Sequence, residues 1–138
     1  MKLNNTSQYA IRIVTFIVQN GSQKKCIAKD ISEQLSIPYK YLTKIMSQLV
    51  DANIISSSKG REGGYTLTKE PNEIKLVDIL EAVKECLHQT DCLLGIGACN
   101  EAKKCALHDQ WLSPKKAILT MFKNTTLEEI VQGKIISL

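Results

Sequence analysis

The amino-acid sequence predicts a mainly α-helical chain carrying one short β-hairpin and a long helix near its C-terminus. Three observations carry that prediction. Apolar residues recur at three- and four-residue spacing through most of the chain, the period of a helix with one buried face. Two β-prone stretches flank a Gly-rich basic segment, Lys59-Gly60-Arg61-Glu62-Gly63-Gly64, which is the signature of a hairpin. A segment after residue 86, with Cys92 and Cys99 inside it and Cys86 and Cys105 at its edges, has poor periodicity, which marks it as a loop.

The first helix is expected over residues 6–19. Thr6 or Ser7 is placed to cap it, and Tyr9, Ile13, Phe16 and Ile17 recur at helical spacing. Asn20-Gly21-Ser22 ends it. Ile27, Ile31 and Leu35 then form a stripe that predicts a short second helix. Ser36-Ile37-Pro38 breaks the chain and restarts it, with Pro38 suited to a first helical position. The third helix should run to about Ala52 and bury Leu42, Ile45, Met46, Leu49 and Val50.

Short, tightly linked helices in this order are the pattern of a helix-turn-helix unit with the third as recognition helix. Its polar face shows Tyr39, Lys40, Thr43, Lys44 and Ser47, with no carboxylate until Asp51. Such a surface suits phosphate, because a carboxylate beside phosphate costs Coulomb energy. An ordinary solvated helix face has the same composition, so the helix alone does not separate the two.

The hairpin that follows does. Asn53-Ile54-Ile55-Ser56 and Tyr65-Thr66-Leu67-Thr68 flank the glycines, and Lys59 and Arg61 project from the tip. A basic hairpin directly after a recognition helix is a wing able to reach phosphates or the adjacent minor groove. A nucleotide-binding loop is the competing reading; no Gly-Lys-Ser/Thr follows and no helix starts there. The prediction is a winged helix-turn-helix domain over residues 1–71.

Pro71-Asn72 closes the hairpin. Leu76, Ile79, Leu80 and Val83 mark a fourth helix ending near Cys86. Residues 87–104 read as a loop, and helical spacing returns from about Cys105 to Phe122 through Leu107, Trp111, Ile118 and Met121. Pro114 should kink this helix, or Ser113 cap a fresh start. A long apolar-faced helix in a small chain often packs on its twin, so it is expected to serve dimerisation. Thr126 with Glu129 forms a capping-box pattern that opens a final short helix through Val131. Residues 72–138 thus form the expected sensor-loop and dimerisation part.

Bulk composition narrows the function classes. With 43% hydrophobic and 23% charged residues, the 138-residue chain can bury a core and is not of disordered composition. No apolar run approaches the roughly 20 residues of a membrane span. Met1 to Tyr9 show no basic region followed by an apolar stretch, so the expected location is cytoplasmic, with no membrane partner. Residues 1–70 hold ten Lys/Arg against five Asp/Glu, and residues 71–138 eight against nine. The positive excess therefore sits where DNA would be bound. With two histidines and no Ser/His/Asp or Cys/His nucleophilic set, an enzyme is not expected.

Five cysteines in such a chain point to metal or redox chemistry. Cys92, Cys99 and Cys105 are separated by six and five residues, and His108 follows Cys105 by three, which puts both on one face of a helix start. Thiolates and imidazole bind soft metal centres. The Cys-x2–4-Cys knuckle of structural zinc sites is missing, and the longer spacers suit a loop wrapped around a larger inorganic core, with Gly95 and Gly97 permitting tight turns. An iron–sulfur cluster, a zinc site, and a thiol–disulfide switch or free cysteines all stay open on spacing alone. A small metalloenzyme or electron carrier is the alternative from another class.

The whole order (winged helix, Lys59-to-Tyr65 wing, three-cysteine loop, long helix) resembles the Rrf-two family of bacterial transcription regulators. Met1-Lys2-Leu3, Tyr9-Ala10 and Thr125-Thr126-Leu127 also match its pattern, and the resemblance covers essentially the whole chain. It implies a homodimer on a pseudo-palindromic operator in double-stranded DNA, with recognition helices in the major groove and wings in the minor groove. It also implies a cluster on Cys92, Cys99 and Cys105. His108 matches the position where a histidine completes a 2Fe–2S centre in some members; other members use an acidic residue where this chain has Gln8. The resemblance therefore favours 2Fe–2S with three cysteines and one histidine over 4Fe–4S. Three features depart from the family pattern. The first cysteine spacer is one residue longer than is common, Lys59 replaces the usual arginine, and Cys86 is an additional thiol near the site. Cys26 reads as an ordinary helix-start residue, and His88 lies on a flank without family support.

Overall fold

The computed structural model describes residues 2–20, 25–85 and 92–133. Cys86, His88 and the Gly21-Ser22 helix stop lie outside the described residues. The chain runs α1 (Asn5–Asn20), α2 (Ala28–Leu35), α3 (Tyr39–Asp51), β1 (Ile55–Ser58), β2 (Gly64–Leu67), a 3-10 turn (Pro71–Glu73), α4 (Leu76–Ala82), α5 (His108–Asn124) and α6 (Leu127–Gln132). It is mainly helical with one antiparallel hairpin, as the sequence predicts.

Helix α1 begins one residue before the expected cap. The Asn4 side-chain oxygen accepts the Ser7 N–H at 2.8 Å, so Asn4 does the capping and Ser7 is buried within the helix. Ile27, expected on the apolar stripe of α2, precedes that helix and is 54% exposed; Ala28 takes its place in the core. Helix α3 buries Leu42, Ile45, Met46 and Leu49 completely, while Val50 is half-buried and Pro38 sits one position before the helix rather than inside it.

Two helix ends share one device. After α2, Ser36 turns left-handed (φ 52°), and the Ile37 N–H reaches back to the Ser32 carbonyl at 3.0 Å. After α3, Asn53 does the same (φ 58°), with the Ile54 N–H on the Leu49 carbonyl at 3.0 Å. Each six-to-one bond satisfies a carbonyl the helix leaves open and aims an isoleucine, Ile37 or Ile54, into the core. Lys84 repeats the turn after α4 (φ 58°), with Glu85 N–H to Leu80 carbonyl at 2.9 Å. Helix α4 therefore stops at Ala82, short of the expected end near Cys86.

Ile55 pairs with Leu67 and Ser58 with Gly64 across the hairpin. Cys26 adds a bridge to β2: its N–H donates to the Tyr65 carbonyl at 3.1 Å and its carbonyl accepts from the Tyr65 N–H at 2.8 Å. This pairing fixes Gly64, because a Cβ there would lie 2.8 Å from the Cys26 carbonyl oxygen. Cys26 is thus a β-bridge residue ahead of α2, buried, with its thiol pushed up from the ordinary range by desolvation and then by Asp30.

One apolar core unites α1, α2, α3 and the wing with Ile74, Ile79, Val83 and Leu127 from later elements. A second cluster, Leu76, Leu80 and Phe122, attaches α5 to α4. The starts of α4 and α6 are stitched together by Leu76 N–H to Thr125 carbonyl and Leu127 N–H to Ile74 carbonyl, both 2.8 Å. Helix α5 passes through Pro114 without a restart at Ser113, and it begins at His108, leaving Cys105 in the turn before it. Among the described residues no helix is long and apolar enough to cross a membrane.

Candidate functional site

Two regions carry the residues singled out in the sequence. On α3, Tyr39, Lys40, Lys44 and Ser47 are exposed, opposite the face that buries Leu42, Ile45 and Leu49. Thr43 is half-buried, and its hydroxyl donates to the Lys40 carbonyl at 3.0 Å, so it is partly committed inside the helix. Lys59 and Arg61 are exposed on a separate element, the five-residue tip between Ser58 and Gly64. Lys25 joins that element from the Cys26 side, its Nζ donating to Ser58 Oγ at 3.0 Å. Sequence periodicity gave no sign of Lys25, because the β-bridge that carries it there pairs residues almost forty positions apart.

Helix α1 supports the recognition helix. Tyr9 and Tyr41 meet edge to face at 5.6 Å, the Arg12 guanidinium lies 5.8 Å from the Tyr9 ring centre, and the Thr6 and Tyr41 hydroxyls share a hydrogen bond. The aromatic pair orients α3 from behind and leaves its polar face free.

The second region is a cleft of about 470 Å³ in the cysteine loop, lined by Cys92, Cys99, Cys105 and His108 together with Ile96 and Gly97. The loop closes on itself: the Cys92 N–H donates to the Gly97 carbonyl at 3.0 Å and the Gly95 N–H to the Cys92 carbonyl at 2.9 Å. Gly97 has φ +110° with open space around it, so its glycine serves the backbone turn rather than a close approach. The Leu94 N–H, aided by the Cys105 side chain and the Ile96 and Gly95 amides, holds the Cys92 thiol below its ordinary range. The thiolate is the form that ligates metal.

Within the cleft the donors stand in two close pairs. Cys92 Sγ is 3.5 Å from Cys105 Sγ, and Cys99 Sγ is 3.4 Å from His108 Nδ1. Among the described residues no three of His, Cys, Asp and Glu close on a single ion position. Cys105 and His108 do share the cleft, through the turn in which the His108 N–H donates to the Cys105 carbonyl at 3.0 Å. Gln8 is turned elsewhere, its side-chain amide donating to the Leu3 carbonyl at 2.6 Å.

Two further residues emerge only in three dimensions. Glu101 Oε1 lies 3.4 Å from His108 Nε2, while its Oε2 takes Lys104 Nζ at 2.7 Å; Lys104 and then His108 hold the Glu101 carboxyl below the usual range. Glu85, the last described residue before the cysteine loop, accepts the Asn4 N–H at 3.2 Å and the Ser7 hydroxyl. Glu101 had one signal in the sequence: it is the only carboxylate between Cys92 and His108.

A recognition helix with a cationic polar face, a basic wing behind it and a separate thiol-lined cleft define a winged helix-turn-helix transcription regulator. The chain belongs to the Rrf2 (Rrf-two) family: its family model, described as an iron-dependent transcriptional regulator, matches residues 3–133. The HTH-type transcriptional regulator IscR of Klebsiella pneumoniae (strain 342) is 30% identical over 134 residues, covering 97% of this chain and 82% of that one. Among solved structures, CymR, the global cysteine regulator of B. subtilis, superposes with a TM-score of 0.80 at 23% identity, over 95% of this chain and 96% of that one. T. potens IscR superposes with a TM-score of 0.74 at 21% identity, over 96% and 87%. The two structural likenesses share the fold; the family relationship makes this chain a DNA-binding regulator and not an enzyme.

Proposed function

We propose that this regulator reads the state of an iron–sulfur centre, of the 2Fe–2S type, held by Cys92, Cys99, Cys105 and His108. The observation that carries the reading is the pairing of the four donors. Two ligands sharing one tetrahedral metal stand roughly 3.8 Å apart when both are sulfurs at ~2.3 Å, and roughly 3.5 Å apart when one is a nitrogen at ~2.0 Å. Both pairs approach these separations, at 3.5 Å and 3.4 Å, while the four do not converge on one point. That arrangement suits a centre of two metals better than a single zinc. The amides around Cys92 add to the fit, since hydrogen bonds to the sulfurs tune such centres. When bound, the centre supplies a one-electron change or a loss of ligands that alters the charge and geometry of the loop.

The chain's own residues then do the rest. Residues 72–138 form the sensor loop and the dimerisation helices, and residues 1–71 form the DNA reader. In a cytoplasmic homodimer, Tyr39, Lys40, Thr43, Lys44 and Ser47 contact the major groove of each half of a pseudo-palindromic operator, with Lys59 and Arg61 on adjacent phosphates or in the minor groove. Glu85 links the edge of the loop to the start of α1, which braces α3 through Tyr9 and Tyr41.

Anaerobic purification tests the reading directly. The expected protein is coloured, with about two iron ions and two sulfides per chain; a colourless protein with stoichiometric zinc and no sulfide sinks it. The 3.5 Å between Cys92 and Cys105 sulfurs favours a second reading, a thiol switch. It predicts DNA affinity that follows thiol oxidation in iron-free protein and is abolished as a response by Cys105→Ser.

A further inference from the structure

We propose that Glu101 is the positioning residue of the sensor cleft: held by Lys104, its carboxylate accepts the His108 Nε2–H and keeps His108 Nδ1 unprotonated beside Cys99. The inference rests on the iron–sulfur reading of the cleft. It adds a residue outside the ligand set, and it names which nitrogen of the histidine does the ligating.

A neutral imidazole carries one proton, and only the other nitrogen has a lone pair for a metal; the hydrogen bond made by one nitrogen decides the role of its partner. His108 is only 3% exposed, so water does not offer both nitrogens the same environment. Its Nδ1 lies 3.4 Å from Cys99 Sγ, toward the other donors, and its Nε2 lies 3.4 Å from Glu101 Oε1. An ionised carboxylate only accepts, so in the neutral ring that a metal requires it places the single proton on Nε2 and leaves the lone pair on the cleft side.

Glu101 itself is anchored. Lys104 Nζ takes Oε2 at 2.7 Å, leaving Oε1 for the histidine, and the same Nζ lies 3.2 Å from Asp109 Oδ1. The chain Asp109, Lys104, Glu101, His108 therefore returns to the first turn of α5, where it started. The Glu101 side chain is 74% exposed, and exposed ion pairs contribute little to folding stability. Orientation of the imidazole accounts for the arrangement where stability does not. A carboxylate behind a ligating histidine raises its basicity, and losing such a partner typically weakens metal binding about 10- to 100-fold.

The test compares the full chain with Glu101→Gln, which keeps the shape but offers an amide that no longer demands a proton on Nε2. In metal-free protein, ¹⁵N NMR of His108 is expected to show the Nε2–H tautomer in the parent and a shift toward Nδ1–H in the variant. After anaerobic reconstitution, the variant should surrender iron to a chelator about 10-fold faster or more, with a raised midpoint potential. His108→Ala should abolish both differences, so that adding Glu101→Gln to it changes nothing further. Equal tautomers together with equal iron retention overturn the proposal, as does an effect of Glu101→Gln that persists undiminished beside His108→Ala. If the parent binds no iron–sulfur centre, the cluster reading fails, and the metal-free tautomer still decides the role of Glu101.

Discussion

Lys40 and Lys44 stand one turn apart on the exposed face of α3, each able to displace a counterion from duplex DNA. Lys44→Ala should weaken binding across sequences alike and reduce the slope of log affinity against log salt by about one. Anisotropy titrations at several salt concentrations measure this, and an unchanged slope removes Lys44 from the interface. Glu129 gives a residue-level prediction of another kind. Its carboxyl accepts the Thr126 N–H at 2.7 Å, a bond that, with the Thr126 hydroxyl, holds it below the usual carboxylate range. A depressed folded-state value means the contribution is present at neutral pH and is lost as pH falls through that lowered value. Glu129→Gln should therefore flatten the acid limb of the stability curve, read by thermal melts at stepped pH. The candidate donors were legible because cysteine and histidine are rare and chemically specific. Glu101 and Glu85 were not, because their meaning depends on a histidine and a serine brought to them by folding.

Helix boundaries show how local signals compete. The capping box at Thr126 and Glu129 forms as the sequence predicts, because both halves of the motif lie within four residues. Thr126→Ala should cost about 1 kcal/mol in urea unfolding; Gly64→Ala should cost more, since its Cβ would press on Cys26 and Lys25. The end of α4 was harder to read, whereas α2 stops at Leu35, where Ser36-Ile37-Pro38 was expected to break the chain. Ser36 and Lys84 adopt left-handed turns usually given to glycine, and they do so because the next backbone N–H finds a helix carbonyl and, after Ser36, because Ile37 reaches the core. Of the kink or restart expected at Pro114, the restart does not occur, since α5 continues from His108 to Asn124. Phe122, buried against Leu80, holds the far end of that helix in place.

At the scale of the molecule, α5 keeps apolar side chains outside: Leu112 is 43% and Met121 52% exposed, although Phe122 on the same helix is buried. In the proposed homodimer Leu112 and the half-buried Leu119, one heptad apart on the same face of α5, meet their counterparts on the twin helix, while Met121 lies on the opposite face. Leu112→Glu with Leu119→Glu should convert the protein to monomer in sedimentation experiments while leaving its helical circular dichroism unchanged, since neither side chain belongs to the core clusters. An unaltered dimer would place the interface elsewhere. In the proposed reading, coupling between cleft and DNA is also reciprocal: the factor by which a bound centre changes operator affinity equals the factor by which operator changes retention of that centre.

Periodicity, turn residues and the cysteine spacing determined the order of elements, the polar face of α3, the basic wing and which loop residues are candidate donors. Those features are local, set by residues within a turn or two of one another. Tertiary structure alone decided that Cys26 pairs with the wing, that Leu127 fills the core beneath α1, and that the cleft donors stand in two pairs with Glu101 behind His108. These are contacts between separate segments, and their distances depend on how the helices pack, which spacing along a chain does not encode.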